Sequence, residues 1–468
     1  MPPAPPSTKA QLQRVRWALI AMFGLFGIMQ TSWMGRLPSI RESLDISAGS
    51  LGAVLVAGAV GSLIGVTVIG PVIVRYGSAV TLRIGMLGNL VGFALVGVGT
   101  ALGSVEVFTL GVLLNGLVGP ATNVPINLEA ARVEKLLGRA VLPHVHAAFS
   151  VGALVGSAVA ATTSTLHVHV VWHIVGVAAL VAAGRSVLIA PGTELQDEPL
   201  HTSGRSATKA SAPGDESARH DDAGRRRAPR RRRTDAGSAL RAWAEPRTLL
   251  IGLVLLAATM SEGAAANWLN LAVVDGFATR EAVGAMAYGT FVVSMLTVRL
   301  LGAGLIDRFG RVAVLRVSGV SALLGLLAFG LGPSLPFAWV GIVLWGAGAA
   351  MAYPVGTAAA ADDPSKAAAR VSVVGSFGSI ASLSAPPVLG LLADAWGTRH
   401  ALLLITLAMV VSLAAAGQVR QEAVERRHGK DATGATAGTR PGDESSLEAD
   451  LTDDARADAE HQTVTVAG

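Results

Sequence analysis

Glu262 is the residue of this chain that most invites a chemical reading. It stands in a long apolar stretch, flanked by Ser261, Gly263 and a run of alanines. A charge at the middle of a bilayer costs about 2.5–3.5 kcal/mol on insertion scales, so such groups line a cavity or meet a partner. Three functional roles suit a carboxyl group placed there: a proton carrier, the fixed counter-charge of Arg36, or a binding group for a cationic or hydroxylated solute. A structural ion pair between helices is the plainer alternative. Nearby stretches carry Gln30, Trp33 and Arg36, and also Asn267, Trp268 and Asn270. Amide groups and aromatic faces in one space suit a small polar or amphipathic solute. Asn115, Asn123 and Asn127 follow at intervals of eight and four residues, which puts them on one helix face. That face lines the same space or bonds a neighbouring helix. Tyr288 is a further lining candidate, followed by Trp345 and Tyr353, and Arg299 is expected to extend its head group towards the membrane surface.

Other chemistries are absent from the sequence. With no cysteine, disulfides, thiolate nucleophiles, iron–sulfur clusters and cysteine-based zinc sites are excluded. His144 and His146 are two apart and diverge on a helix. His169 and His173 share a face but lack the carboxylate of a metalloprotease helix, so no metal site is expected. His146 and Ser150 are four apart, with nothing to complete a triad. Without a nucleophile–base set or a phosphate loop, neither enzyme activity nor a cofactor is expected.

The elements that must hold these residues follow from composition. Hydrophobic residues make up 51% of 468, glycine adds another 55, and charged residues are only 15%, against about 25% in soluble domains. A hydrocarbon core about 30 Å thick needs about 20 apolar residues per helix. Twelve stretches qualify, at about 16–35, 50–73, 80–100, 105–127, 144–164, 168–190, 248–271, 282–303, 312–331, 335–357, 371–392 and 399–418. The first is too long for a signal peptide and lacks a cleavage site, so it is read as a retained helix.

The net charge of +5 is explained by arginines between spans rather than by nucleic acid. Arg14, Arg16, Arg75, Arg83, Arg132, Lys135, Arg139, Arg308, Arg311, Arg316, Lys366 and Arg370 all fall on the side of the N-terminus. The positive-inside rule makes that side cytoplasmic, with both termini there. Residues 191–247, which include Arg225 to Arg227 and Arg230 to Arg233, read as a disordered linker lying on anionic lipid headgroups. The expected organisation is 1–14 N-terminal segment, 15–190 first six-helix bundle, 191–247 linker, 248–418 second bundle and 419–468 tail.

The halves repeat each other. Gly27…Ser32-Trp33 corresponds to Gly263…Asn267-Trp268, and Leu51-Gly52-Ala53-Val54 to Val283-Gly284-Ala285-Met286, offset by 232 to 236 residues. Parallel repeats with a site between them are an architecture of secondary transporters. Gly302-Ala303-Gly304-Leu305-Ile306-Asp307-Arg308-Phe309-Gly310-Arg311 resembles the signature loop of the major facilitator superfamily. Gly70 to Gly77, with Arg75-Tyr76-Gly77, is a degenerate copy in which Val74 replaces the usual Asp. Trp33…Arg36-Leu37-Pro38, Asn127-Leu128-Glu129…Val133-Glu134, His146-Ala147-Ala148-Phe149-Ser150 and Ser261-Glu262-Gly263 resemble a bacterial inner-membrane branch of that superfamily.

The resemblance covers about residues 15–418. It implies an all-α polytopic membrane protein, twelve transmembrane helices in two pseudo-symmetric six-helix bundles, moving a small solute by alternating access. It also implies a cytoplasmic gate at Arg75, Gly77, Gly302, Asp307, Arg308, Gly310 and Arg311, in which Arg308 and Arg311 bridge the halves. Glu262 is then the candidate for proton coupling, and a monomer is expected. Drug–proton antiporters of the superfamily carry a Gly-Pro pair in helix 5 and an Arg in helix 4. Here Ser157 and Asn115 stand at those positions, which weighs against multidrug antiport. A transport-inactive sensor signalling through the linker and tail is the reading from a different class.

Overall fold

The computed structural model describes residues 8–139, 141–195, 241–363 and 366–420. Most of the expected linker, the first seven residues and the tail after Arg420 lie outside them. The first half holds α1 (Lys9–Met34), the short α2 (Leu37–Leu44), α3 (Ala48–Leu102), α4 (Val105–Val118), α5 (Pro120–Leu137), α6 (Leu142–Thr165) and α7 (Val170–Gly192). The second holds α8 (Pro246–Phe277), α9 (Glu281–Leu331), α10 (Leu335–Ala349), α11 (Ala352–Ala360), α12 (Ala367–Trp396), α13 (Thr398–Ala401) and α14 (Leu404–Ala415). α1 reaches back to Lys9, capped by the Thr8 hydroxyl, which accepts from the Gln11 amide.

Ten helical segments among the described residues are long and apolar enough to cross a membrane, and two of them cross twice. α3 has 55 residues, about 80 Å if straight, far more than a bilayer needs. The chain reverses at Gly77, where φ is 78° and ψ 170°, a backbone state open to glycine and strained for other residues. Packing on the next span proves the reversal. Gly61 and Gly65 meet Leu113 and Leu117 in parallel order, whereas Gly85 and Gly99 meet Ala121 and Phe108 in antiparallel order. α9 does the same at Gly310, with φ 78° and ψ 159°. Gly346 packs on Phe291 in the limb before Gly310, and Gly341 and Gly348 pack on Phe329 and Ala322 in the limb after it. The twelve crossings of the sequence reading are therefore present, and the two turning glycines occupy equivalent places in the repeat.

Small residues let the helices approach closely. A methyl group on Gly152 would collide with the Gly24 carbonyl of α1, and one on Gly156 with the Ile28 carbonyl. Between the halves, Gly52 of α3 sits against the Pro386 carbonyl of α12, and Gly289 of α9 faces Leu154 and Ser157 of α6.

Candidate substrate cavity

A cavity of about 530 Å³ lies between the halves, within the range that holds small-molecule ligands. α1 lends Phe26, Gln30, Trp33 and Met34; α3 lends Ser62 and Asn89; α4 and α5 lend Asn115 and Asn123; α8 and α12 lend Asn267, Ser382 and Pro386. Its polar groups are amides, hydroxyls and an indole, and no lining residue carries a formal charge. Of the residues singled out in the sequence, Gln30, Trp33, Asn115, Asn123 and Asn267 therefore meet in one space. Asn89, Ser62 and Ser382 join them. Each was visible only as a polar residue in an apolar span, with no spacing to connect it to the others.

The remaining candidates stand elsewhere. Asn127 donates to the Asn123 carbonyl at 2.9 Å, one turn back along α5. Trp268 is 1% exposed and part of the main apolar core. Trp345 is buried too, donating its indole N–H to Ser261 Oγ at 2.7 Å. Asn270 donates to the Gly35 carbonyl at 2.6 Å, tying α8 to the end of α1 at positions the repeat makes equivalent. Tyr288 stacks on Phe291 at 6.2 Å between ring centres.

Glu262 has a partner other than Arg36: it accepts a close hydrogen bond from Arg299 of α9. Arg299 also donates to the Ala350 carbonyl at 3.1 Å. It is thus anchored inside the bundle, where the sequence suggested a head group reaching for the surface. Arg299 stands on α9, which packs against α6 of the facing half. His146 of α6 meets the edge of Phe23 at 5.2 Å between ring centres.

Arg36 pairs with Glu281, the first residue of α9, with Nε 2.9 Å from Oε2 and both side chains nearly buried. It also donates to the Val168 carbonyl at 3.0 Å and to Thr163 Oγ1 at 3.3 Å. The other oxygen of Glu281 accepts the Ser39 amide at 3.0 Å, satisfying a free N–H in the first turn of α2 from across the interface. Arg41 forms a two-pronged pair with Asp275 at 2.8 and 3.1 Å. Asp394 accepts from Ser47 Oγ and the Gly49 amide at 2.8 and 2.9 Å. The contacts to Glu281, Asp275 and Asp394 join the halves at the end that carries α2, while those of Arg36 to Val168 and Thr163 stay within the first half. Behind them, His173 lies between Ser32 Oγ at 2.8 Å and Thr163 Oγ1 at 2.6 Å, a packing role.

At the opposite end, side chains pair within their own half. Arg311 meets Asp362 at 2.7 Å, and Arg247 shares that carboxylate at 3.2 Å. Arg370 meets Glu245 at 2.7 Å, and Arg132 meets Glu129 at 3.2 Å. Arg308 and Arg75 lie over the rings of Phe309 and Tyr76, and Asp307 is exposed. Gly302 packs on Met351. Among the described residues the expected bridge between halves through Arg308 and Arg311 is not made: Asp362 of the same half takes Arg311, and Arg308 lies over Phe309.

Comparison with known proteins gives a consistent picture. The model of the Major Facilitator Superfamily matches residues 18–364 and 251–444. The uncharacterized transporter y4wD of Sinorhizobium fredii is 28% identical over 398 residues, covering 84% of this chain and 96% of that protein. Among solved structures, the nucleoside transporter NupG superposes with a TM-score of 0.64 at 14% identity, covering 88% of this chain and all of that one. A bacterial homologue of the human lysosomal transporter Spinster, inward-facing and unoccupied, gives 0.63 at 14% identity, covering 89% of this chain and all of that one.

Proposed function

The chain belongs to the major facilitator superfamily, and from that premise we propose that its central cavity binds one small solute and carries it across the membrane as the halves rock about the site. The observation that carries this reading is the cavity itself: it has ligand-sized volume, walls from both halves, and a neutral amide-rich lining. Rigid halves moving around a site between repeats is the mechanism this architecture serves. The end bearing Arg75, Arg83, Arg308, Arg311 and Arg316 is the cytoplasmic one by the positive-inside rule. The contacts around Arg36, Arg41 and Asp394 then close the outer side, and the state is open inward. Solute entering or leaving on the outer side requires those contacts to part.

Glu262 is the proton-coupling residue in this reading. Its pairing with Arg299 supports the role, because protonation would release an arginine that lies beside the facing half and so link charge to the relation between halves. The test is a ligand screen of the purified protein by thermal unfolding, run beside Asn267→Ala and Asn123→Ala. A ligand at a hundredfold excess over its Kd adds about 2.7 kcal/mol of stability. Stabilisation lost in both variants is expected. A ligand that stabilises all three proteins equally places its site elsewhere. Once a substrate is in hand, Glu262→Gln at normal membrane abundance should abolish uptake driven by a proton gradient. Undiminished proton-driven uptake would remove Glu262 from the mechanism.

A further inference from the structure

Arg185 of α7 is 4% exposed and takes no part in anything described so far. Its Nη1 donates to Asn89 Oδ1 at 3.1 Å and to Thr122 Oγ1 at 3.4 Å, and its guanidinium lies over the Phe26 ring at 5.6 Å. Nε and Nη2 are buried without a hydrogen-bond partner, and no charged neighbour acts on the group among the described residues. Holding α7 against its neighbours needs only a neutral amide at this place. A buried cation with no counter-charge loses its hydration without recompense, so the charge itself calls for an explanation.

The cavity supplies one. Arg185 sits one layer behind its wall: Phe26, Asn89 and Phe93 line the cavity, and Asn89 and Phe93 also line the small gap that Arg185 borders. A guanidinium can only donate, so Asn89 must turn its oxygen towards Arg185. The Asn89 amide nitrogen then donates onward to Asn115 Oδ1 at 3.1 Å, and Asn115 Nδ2 to the Gly111 carbonyl at 3.0 Å. Each amide keeps one further N–H in a wall that faces the cavity. The result is a row of donors polarised by a fixed positive charge, beside a lining with no acidic group. Such a field concentrates anions. We propose that the solute carries an anionic group, a carboxylate, phosphate or sulfonate, which the Asn89–Asn115 wall receives and Arg185 attracts. This rests on the cavity being the binding site proposed above.

The absence of cysteine from the whole chain permits a test without knowing the substrate. Ser62→Cys places a thiol on the cavity wall in a full-length protein with an otherwise thiol-free background. Its rates with two methanethiosulfonate reagents, one bearing a sulfonate and one a trimethylammonium group, are each divided by the rate with free mercaptoethanol. For a charge roughly 10 Å away at an effective dielectric of ~20, the anionic reagent should lead by tenfold or more. Arg185→Gln should bring the ratio towards one, and Arg185→Lys, which keeps the charge, should preserve the preference. A ratio near one, or favouring the cation, in the protein with Arg185 intact overturns the inference, as does a ratio that Arg185→Gln leaves unchanged. A thiol that neither reagent reaches from either face overturns instead the open-cavity reading on which the inference rests.

Discussion

Glu281→Ala tests whether the contacts at the α2 end act as a latch. In the closed arrangement Arg36 and Glu281 are 5% and 9% exposed as side chains and 2.9 Å apart. Burial holds the Arg36 guanidinium below its ordinary pKa, against the opposing charge and hydrogen bond of Glu281. Removing one member of a buried pair costs about 3–5 kcal/mol. Arg36 keeps its bonds to Val168 and Thr163, which brings the expected loss to about 2–3 kcal/mol, the scale of one charged hydrogen bond. The loss falls on the closed state alone, because water solvates Arg36 once the halves part. The closed-to-open ratio should therefore fall roughly 30- to 150-fold. The assay is alkylation of Ser382→Cys, on the cavity wall, by an impermeant maleimide added on the α2 side of oriented vesicles. The labelling rate should rise by that factor in Glu281→Ala at equal abundance. A rate within twofold of the parent would show that the pair does not select between states.

Three further outcomes follow from packing and charge. Gly152→Val should lower the unfolding midpoint by an amount equivalent to about 1–3 kcal/mol, since its side chain meets the Gly24 carbonyl, while Gly70→Ala, with nothing nearby, should be neutral or slightly stabilising in the same thermal scan. Gly310→Ala should cost about 1–3 kcal/mol by the same measurement, because φ 78° with ψ 159° is a region essentially reserved for glycine. Glu245, just outside the membrane segment, is pushed up by burial but held below the ordinary carboxylate range overall by hydrogen bonds from Arg370, Thr248 and Lys366 and by the charge of Arg370. Its contribution is therefore complete above the unfolded value of about 4.3 and is lost as pH falls through the lower folded value. The gap in unfolding midpoint between the parent and Glu245→Gln should be constant from neutral pH down to about 5 and close below about 4.

The architecture was legible because each part of it is local. Apolar runs of bilayer length, glycines at the turns and arginines between spans announce twelve crossings one segment at a time, and the repeat places Gly77 opposite Gly310. The cavity was legible in part, through Gln30, Trp33, Asn123 and Asn267. Trp268 was assigned to it by analogy with Trp33, but α8 is apolar on nearly every face, so periodicity gives no sign of which side meets the core. Arg36 could not be matched to Glu281, nor Arg299 to Glu262, because each pairing depends on how distant helices are rotated against one another. Arg185 was visible as a lone charge in an apolar run, yet its meaning lies in Asn89, 96 residues away in the chain.

Alternating access is the central claim, and distances between spin labels on opposite halves test it most directly. Ser43→Cys with Arg280→Cys reports the α2 end, and Tyr76→Cys with Phe309→Cys the opposite end; all four side chains are exposed. Double electron–electron resonance on each pair, with and without Glu281→Ala, should show opposed movement. The account predicts that the variant lengthens the Ser43–Arg280 distance and shortens the Tyr76–Phe309 distance. One unchanging distance at each end, with and without the substitution and from pH 5 to 8, would contradict it.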